Sequence, residues 1–138
     1  MKHLIIVLCV ALYINTTFAQ KISADKVPSA VLKAFQTKFP TIKKAKWEIE
    51  KGNYEAEYDE NKTEHSALFS ADGTLIETEI EIAVNQLPKA IADYVTKNMK
   101  GKKIKEASII TETNGKKKYE AEVGGKDYLF DENCKPLN

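Results

Sequence analysis

Carboxylates dominate the residues able to do chemistry in this 138-residue chain. Glu55 and Glu57, and again Glu120 and Glu122, stand two positions apart, so on a strand each pair points to one face. Two carboxylates held that way do acid–base work on a glycosidic bond when one of them is desolvated and its pKa is raised. An open, solvated sheet face does not supply that, and the abundance of such pairs weakens each as a hydrolase candidate. His65 and Cys134 would have to meet in space to act as nucleophile and base. They fall at strand-end or loop positions in different parts of the chain, and His65 reads as a solvent-side strand residue. A zinc site asks for three or four ligands, and one histidine with one thiol falls short. Asp59-Glu60-Asn61 and Asp131-Glu132-Asn133 lack the alternating ligands, glycine and distant glutamate of a calcium loop. They read as solvated turns, with weak binding of a cation or small ligand as the alternative. No catalytic residue, metal ligand or cofactor is assigned.

The first residues concern export. Met1-Lys2-His3 is basic, Leu4 to Ile14 is apolar, and Thr17-Phe18-Ala19 offers small residues at the spacing of a processing site. Residues 1–19 are therefore expected to be a signal peptide cleaved after Ala19, giving a periplasmic or secreted protein. The apolar run is well short of the roughly 20 residues a spanning helix needs, so no stable membrane insertion is expected after cleavage. Losing Lys2 takes the formal charge from +1 to zero, which argues against nucleic acid or an anionic membrane as partner. Every strong cation is lysine; without arginine there is no bidentate fork for phosphate. Of two cysteines only Cys134 survives processing, as a free thiol or as the link of a disulfide dimer.

An internal repeat organises the rest. Val27-Pro28-Ser29-Ala30-Val31 matches Leu87-Pro88-Lys89-Ala90-Ile91 at an offset of 60. Tyr54-Glu55-Ala56-Glu57 recurs as Tyr119-Glu120-Ala121-Glu122, and Leu68-Phe69-Ser70-Ala71-Asp72-Gly73 as Leu129-Phe130-Asp131-Glu132-Asn133-Cys134. Residues 20–138 thus form one domain of two repeats, about 25–82 and 85–138. Each opens with a helix: Asp25 or Asn85 to cap it, Pro28 or Pro88 in the first turn, and a core seam of Val31, Phe35 and Phe39 or Ile91, Val95 and Met99. Period-two strands follow. Ala45, Trp47 and Ile49 share a face, continued past Gly52-Asn53 by Tyr54, Ala56 and Tyr58. Ile76, Thr78, Ile80 and Ile82 alternate with Glu77, Glu79 and Glu81. The second repeat sets out Ala107, Ile109 and Thr111, then Tyr119, Ala121 and Val123, then Tyr128 and Phe130. Such alternation indicates an antiparallel sheet covered on one face. The fold class is α+β: about seven strands in one antiparallel sheet with two helices on one face.

A helix, a Tyr-Glu-Ala-Glu strand and a Leu-Phe-x-x-Asp-Gly turn, repeated behind a signal peptide, resemble the PepSY-like family with its β-lactamase-inhibitor-like members. The resemblance spans residues 25–138 and implies a curved antiparallel sheet with helices packed on one face. It also implies an exported inhibitory or binding role. Asn133-Cys134 departs from the family's Asp-Gly turn, which leaves the shape of that last turn open. The face away from the helices then becomes the expected working surface. Parity places Glu55, Glu57, Glu120 and Glu122 there, with Leu68, Ile110 and Leu129 as aliphatic contacts among the charges. The expected function is a non-enzymatic binding or inhibitor-like module meeting another exported or envelope protein on one wide, open surface. The alternative is a structural envelope-associated domain.

Material exported from the full chain is expected to begin at Gln20. Intact-mass measurement checks this, and retention of residues 1–19 refutes it.

Overall fold

The computed structural model describes residues 19–137; the basic start and the apolar run lie outside them. The described chain runs β1 (Gln20–Ile22), a 3-10 turn (Ala24–Lys26), α1 (Ser29–Lys38), β2 (Lys46–Glu50), β3 (Asn53–Glu60), β4 (Thr63–Phe69) and β5 (Leu75–Ile82). A second 3-10 turn (Val84–Gln86), α2 (Lys89–Asn98), β6 (Ile104–Glu112), β7 (Lys117–Val123) and β8 (Asp127–Asp131) complete it. Each strand pairs antiparallel with the next in sequence, so eight strands form one sheet in the order β1 to β8. About seven were expected. The extra one is β1, whose three residues are too few to show an alternation.

The prolines decide where the helices start. Neither Asp25 nor Asn85 caps an α-helix, contrary to expectation; each lies in a 3-10 turn ahead of one. A residue before proline is held out of the α region. Val27 (ψ 134°) and Leu87 (ψ 144°) are accordingly extended. Pro28 and Pro88 themselves have ψ of 139° and 134°, and the helices begin just after them. In the second 3-10 turn the Ala83 N–H instead donates to the Gln86 side chain at 2.8 Å.

Both helices pack on one face, each over its own apolar cluster. Under α1, Val31 and Phe35 meet Trp47, Ala56, Tyr58, Ala67 and Phe69. Under α2, Ile91 and Val95 meet Ala107, Ala121, Val123 and Phe130. Alanine stands at the centre of each patch, fully buried at Ala56, Ala67 and Ala121, which lets the helix axis approach the sheet. Larger rings close the flanks: Trp47 meets Phe35 edge-on at 5.4 Å, and Tyr94 meets Phe130 at 5.5 Å. Phe39 and Met99, expected on the seams, follow the last helical turn and pack half-buried against these clusters.

Two expectations for β5 need correction. The register passes from Leu68↔Glu77 to Phe69↔Leu75, so Ile76 is the extra residue of a bulge, and Leu75 joins the core instead. Ile80 does lie on the helix face but is 43% exposed, because it falls between the two helices' clusters.

The turns repeat more faithfully than the residue types suggest. Gly73 N–H donates to Ser70 C=O, Gly115 N–H to Glu112 C=O and Cys134 N–H to Asp131 C=O, each at 2.9 Å. Cys134 takes a φ of +63° where the glycines take +88° and +86°, so the last turn keeps its shape without Asp-Gly. A side chain at Gly73 would stand 2.6 Å from the Ala30 carbonyl oxygen on α1. Cys134 instead tucks half-buried against the second cluster. Its accessibility is less than a turn position near the chain end suggests.

Trp47 joins the first helix to β2, so Trp47→Ala is expected to cost about 3–5 kcal/mol. Urea or thermal unfolding measures this; a variant as stable as wild type would place the indole outside the core.

Candidate functional site

Strand parity carries the acidic residues to the face that the helices leave free. The cross-strand pairs Glu48↔Glu55, Glu55↔Leu68 and Leu68↔Glu77 run across it in the first repeat. Glu79↔Ile110, Glu81↔Ser108, Ser108↔Glu120 and Glu120↔Leu129 carry the same face through the second. All seven expected contact residues, Glu55, Glu57, Leu68, Ile110, Glu120, Glu122 and Leu129, therefore share one face.

That face is not the wide, open surface expected. It encloses a trough of about 610 Å³, lined by carboxylates from every strand from β2 to β8. The lining includes nine glutamates and Asp127, two serines and no lysine among the described residues. Lys118 lies on the same face, but it is tied to Glu112 at 2.7 Å and to Glu77 at 3.7 Å, away from the trough wall.

The trough changes the chemistry of its carboxylates. Glu55 is pushed up to about 7, first by burial and then by repulsion from Glu79, Glu50 and Glu57; a 2.6 Å hydrogen bond from Ser66 Oγ partly opposes this. Glu120 is pushed up to about 8, by burial and then by Glu79, Asp127, Glu55 and Glu50. Burial also raises Glu79 and Glu57. The expectation that a wet sheet face leaves its glutamates ordinary is thus overturned: burial and the repulsion of carboxylates on neighbouring strands raise them. Ser108 adds a further sign of incomplete pairing. Its buried hydroxyl leans toward Glu79 enough to offset part of that group's rise, yet makes no hydrogen bond of good geometry.

Two individual placements, those of Ile110 and His65, differ from expectation. Ile110 is 5% exposed, so it is buried within the face and leaves little surface for a contact. Leu68 and Leu129 are half-buried on the same face. The His65 ring is stacked on Tyr58 at 5.6 Å and is not a solvent-side residue; by register it belongs to the helix face, far in the sheet order from Cys134 beyond β8. The two are not brought together as nucleophile and base.

Glu79, Glu81 and Asp127 were not singled out from the sequence. Glu79 and Glu81 were visible as one side of an alternation, but their crowding depends on β5 lying next to β6. Metal-type spacing occurs among the described residues at Glu48, Glu55 and Glu57, which each bring one carboxylate oxygen within 4.8 Å of the others. It does not occur at the acidic turns considered beforehand. Lys46 and Lys21 lie alongside and offset part of the Glu57 rise.

Fold and site together define a duplicated α+β domain, with helices on one face of a meander sheet and an acidic trough on the other. The family model described as "Putative beta-lactamase-inhibitor-like, PepSY-like" matches residues 14–77 and again 53–135. The chain belongs to this PepSY-like family, whose model matches it twice, as a duplicated unit allows. Among solved structures it is similar to a BLIP-like protein from Bacteroides fragilis, at 24% identity and TM-score 0.59 over 80% of this chain and 84% of that one. It is also similar to a protein from Bacteroides eggerthii described as putatively periplasmic, at 16% identity and TM-score 0.68 over 81% and 86%. At these identities the likeness concerns the fold. No curated protein matches the sequence. No helix of the described residues is long and apolar enough to cross a membrane.

Carboxylates whose folded pKa is raised stabilise the protein fully below their unfolded value of 4.5, and that contribution is lost as pH rises through about 7 and about 8. The melting temperature of the free protein is therefore expected to fall across this window. Glu55→Gln with Glu120→Gln should flatten the profile. Calorimetry over a pH series checks it, and a wild-type profile without that fall would mean the trough is as wet as an ordinary surface.

Proposed function

We propose that this protein is an exported, non-enzymatic binding module of the inhibitor-like kind. Its partner is another exported or envelope protein, and the trough receives a lysine- or arginine-bearing segment of it. The observation that carries the reading is the convergence of carboxylates from both repeats on one trough with no lysine in its lining. Folding by itself does not call for this, since crowding the carboxylates raises Glu55 and Glu120 at the expense of stability near neutral pH. A cationic side chain would restore the charge balance that the trough lacks. A small neutral ligand would want more apolar wall than these residues provide.

The same electrostatics speak against acid–base catalysis. Hydrolytic pairs have environments that push two carboxylates apart in pKa, whereas Glu55, Glu79 and Glu120 are all pushed upward by burial. Export is supported by the processing site before Gln20 and by the fold shared with the Bacteroides eggerthii protein. A second reading has one observation behind it: Glu48, Glu55 and Glu57 are spaced to share a divalent cation.

The test is calorimetric titration with an oligolysine peptide, an oligoglutamate control and calcium alone. Oligolysine should bind with an affinity that falls with salt and below neutral pH, and binding near pH 7 should release protons to the buffer. Glu55→Gln, Glu79→Gln and Glu120→Gln together should weaken it by roughly tenfold or more. Oligolysine binding no better than oligoglutamate would overturn the cationic-segment reading, and binding of calcium alone, lost in Glu48→Gln, would favour the second.

A further inference from the structure

The first strand sits where the sequence expects the chain to be cut. β1 pairs with β2 in the register Gln20↔Ile49, Lys21↔Glu48 and Ile22↔Trp47. Continuing that register brings Ala19 beside Glu50, on the helix-free face with Lys21 and Glu48. Ala19 and Glu50 both line the trough. The repeat places them alike: at the offset of 60 that aligns Pro28 with Pro88, Ile22 corresponds to Ile82 and Ala19 to Glu79. Where the second repeat runs through a trough glutamate, the first carries the small residue of the processing site.

We propose that cleavage after Ala19 sets the new α-ammonium group of Gln20 against Glu50 at the end of the trough, so that the chain's own amino terminus becomes a cation in its wall. Before cleavage that nitrogen is a neutral amide. Afterwards it is a positive charge at the end of a lining rich in glutamates, where Lys105 already pairs with Glu106 and Glu122. The charged groups around it are Lys21 on β1, Glu50 and Glu48 on β2, and Glu55 one strand further in. Lys51 holds the other side of Glu50 at 3.0 Å. Glu50 is among the repelling groups that raise Glu55, Glu79 and Glu120, so a cation resting on it relieves all three.

The Gln20 side chain falls on the opposite face, beside Ile49, which leaves the amine as the group that meets the trough. An amino-terminal glutamine also has a route to lose this charge. The free-base amine attacks the side-chain amide carbon, a C–N bond forms, and ammonia departs with the proton that the amine gives up. The trough then has two charge states, one with the terminal cation and one without. The inference stands whether or not a partner enters the trough.

The experiment starts from full-length chain exported from a bacterial host. Intact mass comes first, and a mature start anywhere but Gln20 overturns the inference. Gln20→Ser, which cannot cyclise, keeps the amine readable, and its titration in the folded protein is followed by NMR. The midpoint is expected about one unit above the ordinary α-amino value of about 7.7–8.0. Adding Glu50→Gln should bring it back. An ordinary midpoint, or a raised one that Glu50→Gln leaves unchanged, overturns the inference. Where wild-type protein is recovered cyclised, Glu55 and Glu120 should protonate at higher pH than in Gln20→Ser; equal values also count against it.

Discussion

The ladder between β5 and β6 is the interaction on which the helix-free face depends. It aligns Glu79 with Ile110 and Glu81 with Ser108, and so continues the first repeat's face into the second. β5 serves both repeats. Its beginning closes the hairpin after Gly73, and its end, Ile80 to Ile82, occupies the place that β1 holds in the first repeat. A slip of one residue would turn Glu79 and Glu81 toward the helices and send Thr78 and Ile80 into the trough. Apolar seams on both helices oppose such a slip, because each needs its own row of alanines and rings beneath it.

From that ladder follows a division of labour between the faces. The helix side is satisfied by packing, with Val31, Ile91, Phe69 and Phe130 almost wholly buried. The other side holds carboxylates that repel one another and have lost part of their water. The first arrangement stabilises the second. A sheet without two well-packed clusters would have little to set against crowded glutamates, and would open until they were solvated. The ends of the sheet are managed separately. β1 is only three residues long, and beyond β8 the chain returns through a bridge between Phe130 and Pro136, where proline offers no further donor.

Much of this was legible in the residues. The matched segments around Pro28 and Pro88, the duplicated Tyr-Glu-Ala-Glu and the period-two runs were enough to infer two repeats, one antiparallel sheet and helices on one face. They also placed Glu55, Glu57, Glu120 and Glu122 together. β1 escaped notice although the same offset of 60 that aligns the prolines also aligns Ile22 with Ile82. The bulge at Ile76 was not legible, since one extra residue in a strand leaves the alternation on either side intact.

Sequence alone determined the face of most strand side chains, because the pleat reverses direction at every residue; the bulge at Ile76 is where that parity breaks. It likewise placed one helix beside each proline, though not its first residue, since Asp25 and Asn85 fall in 3-10 turns and the helices begin just after Pro28 and Pro88. Only the tertiary structure decided that the acidic face is a trough, that Ile110 is buried, and that Glu55 and Glu120 are pushed up to about 7 and about 8. Desolvation and repulsion depend on how residues some 60 positions apart in the chain are brought together. That distance is set by sheet order and register, and no local pattern encodes it.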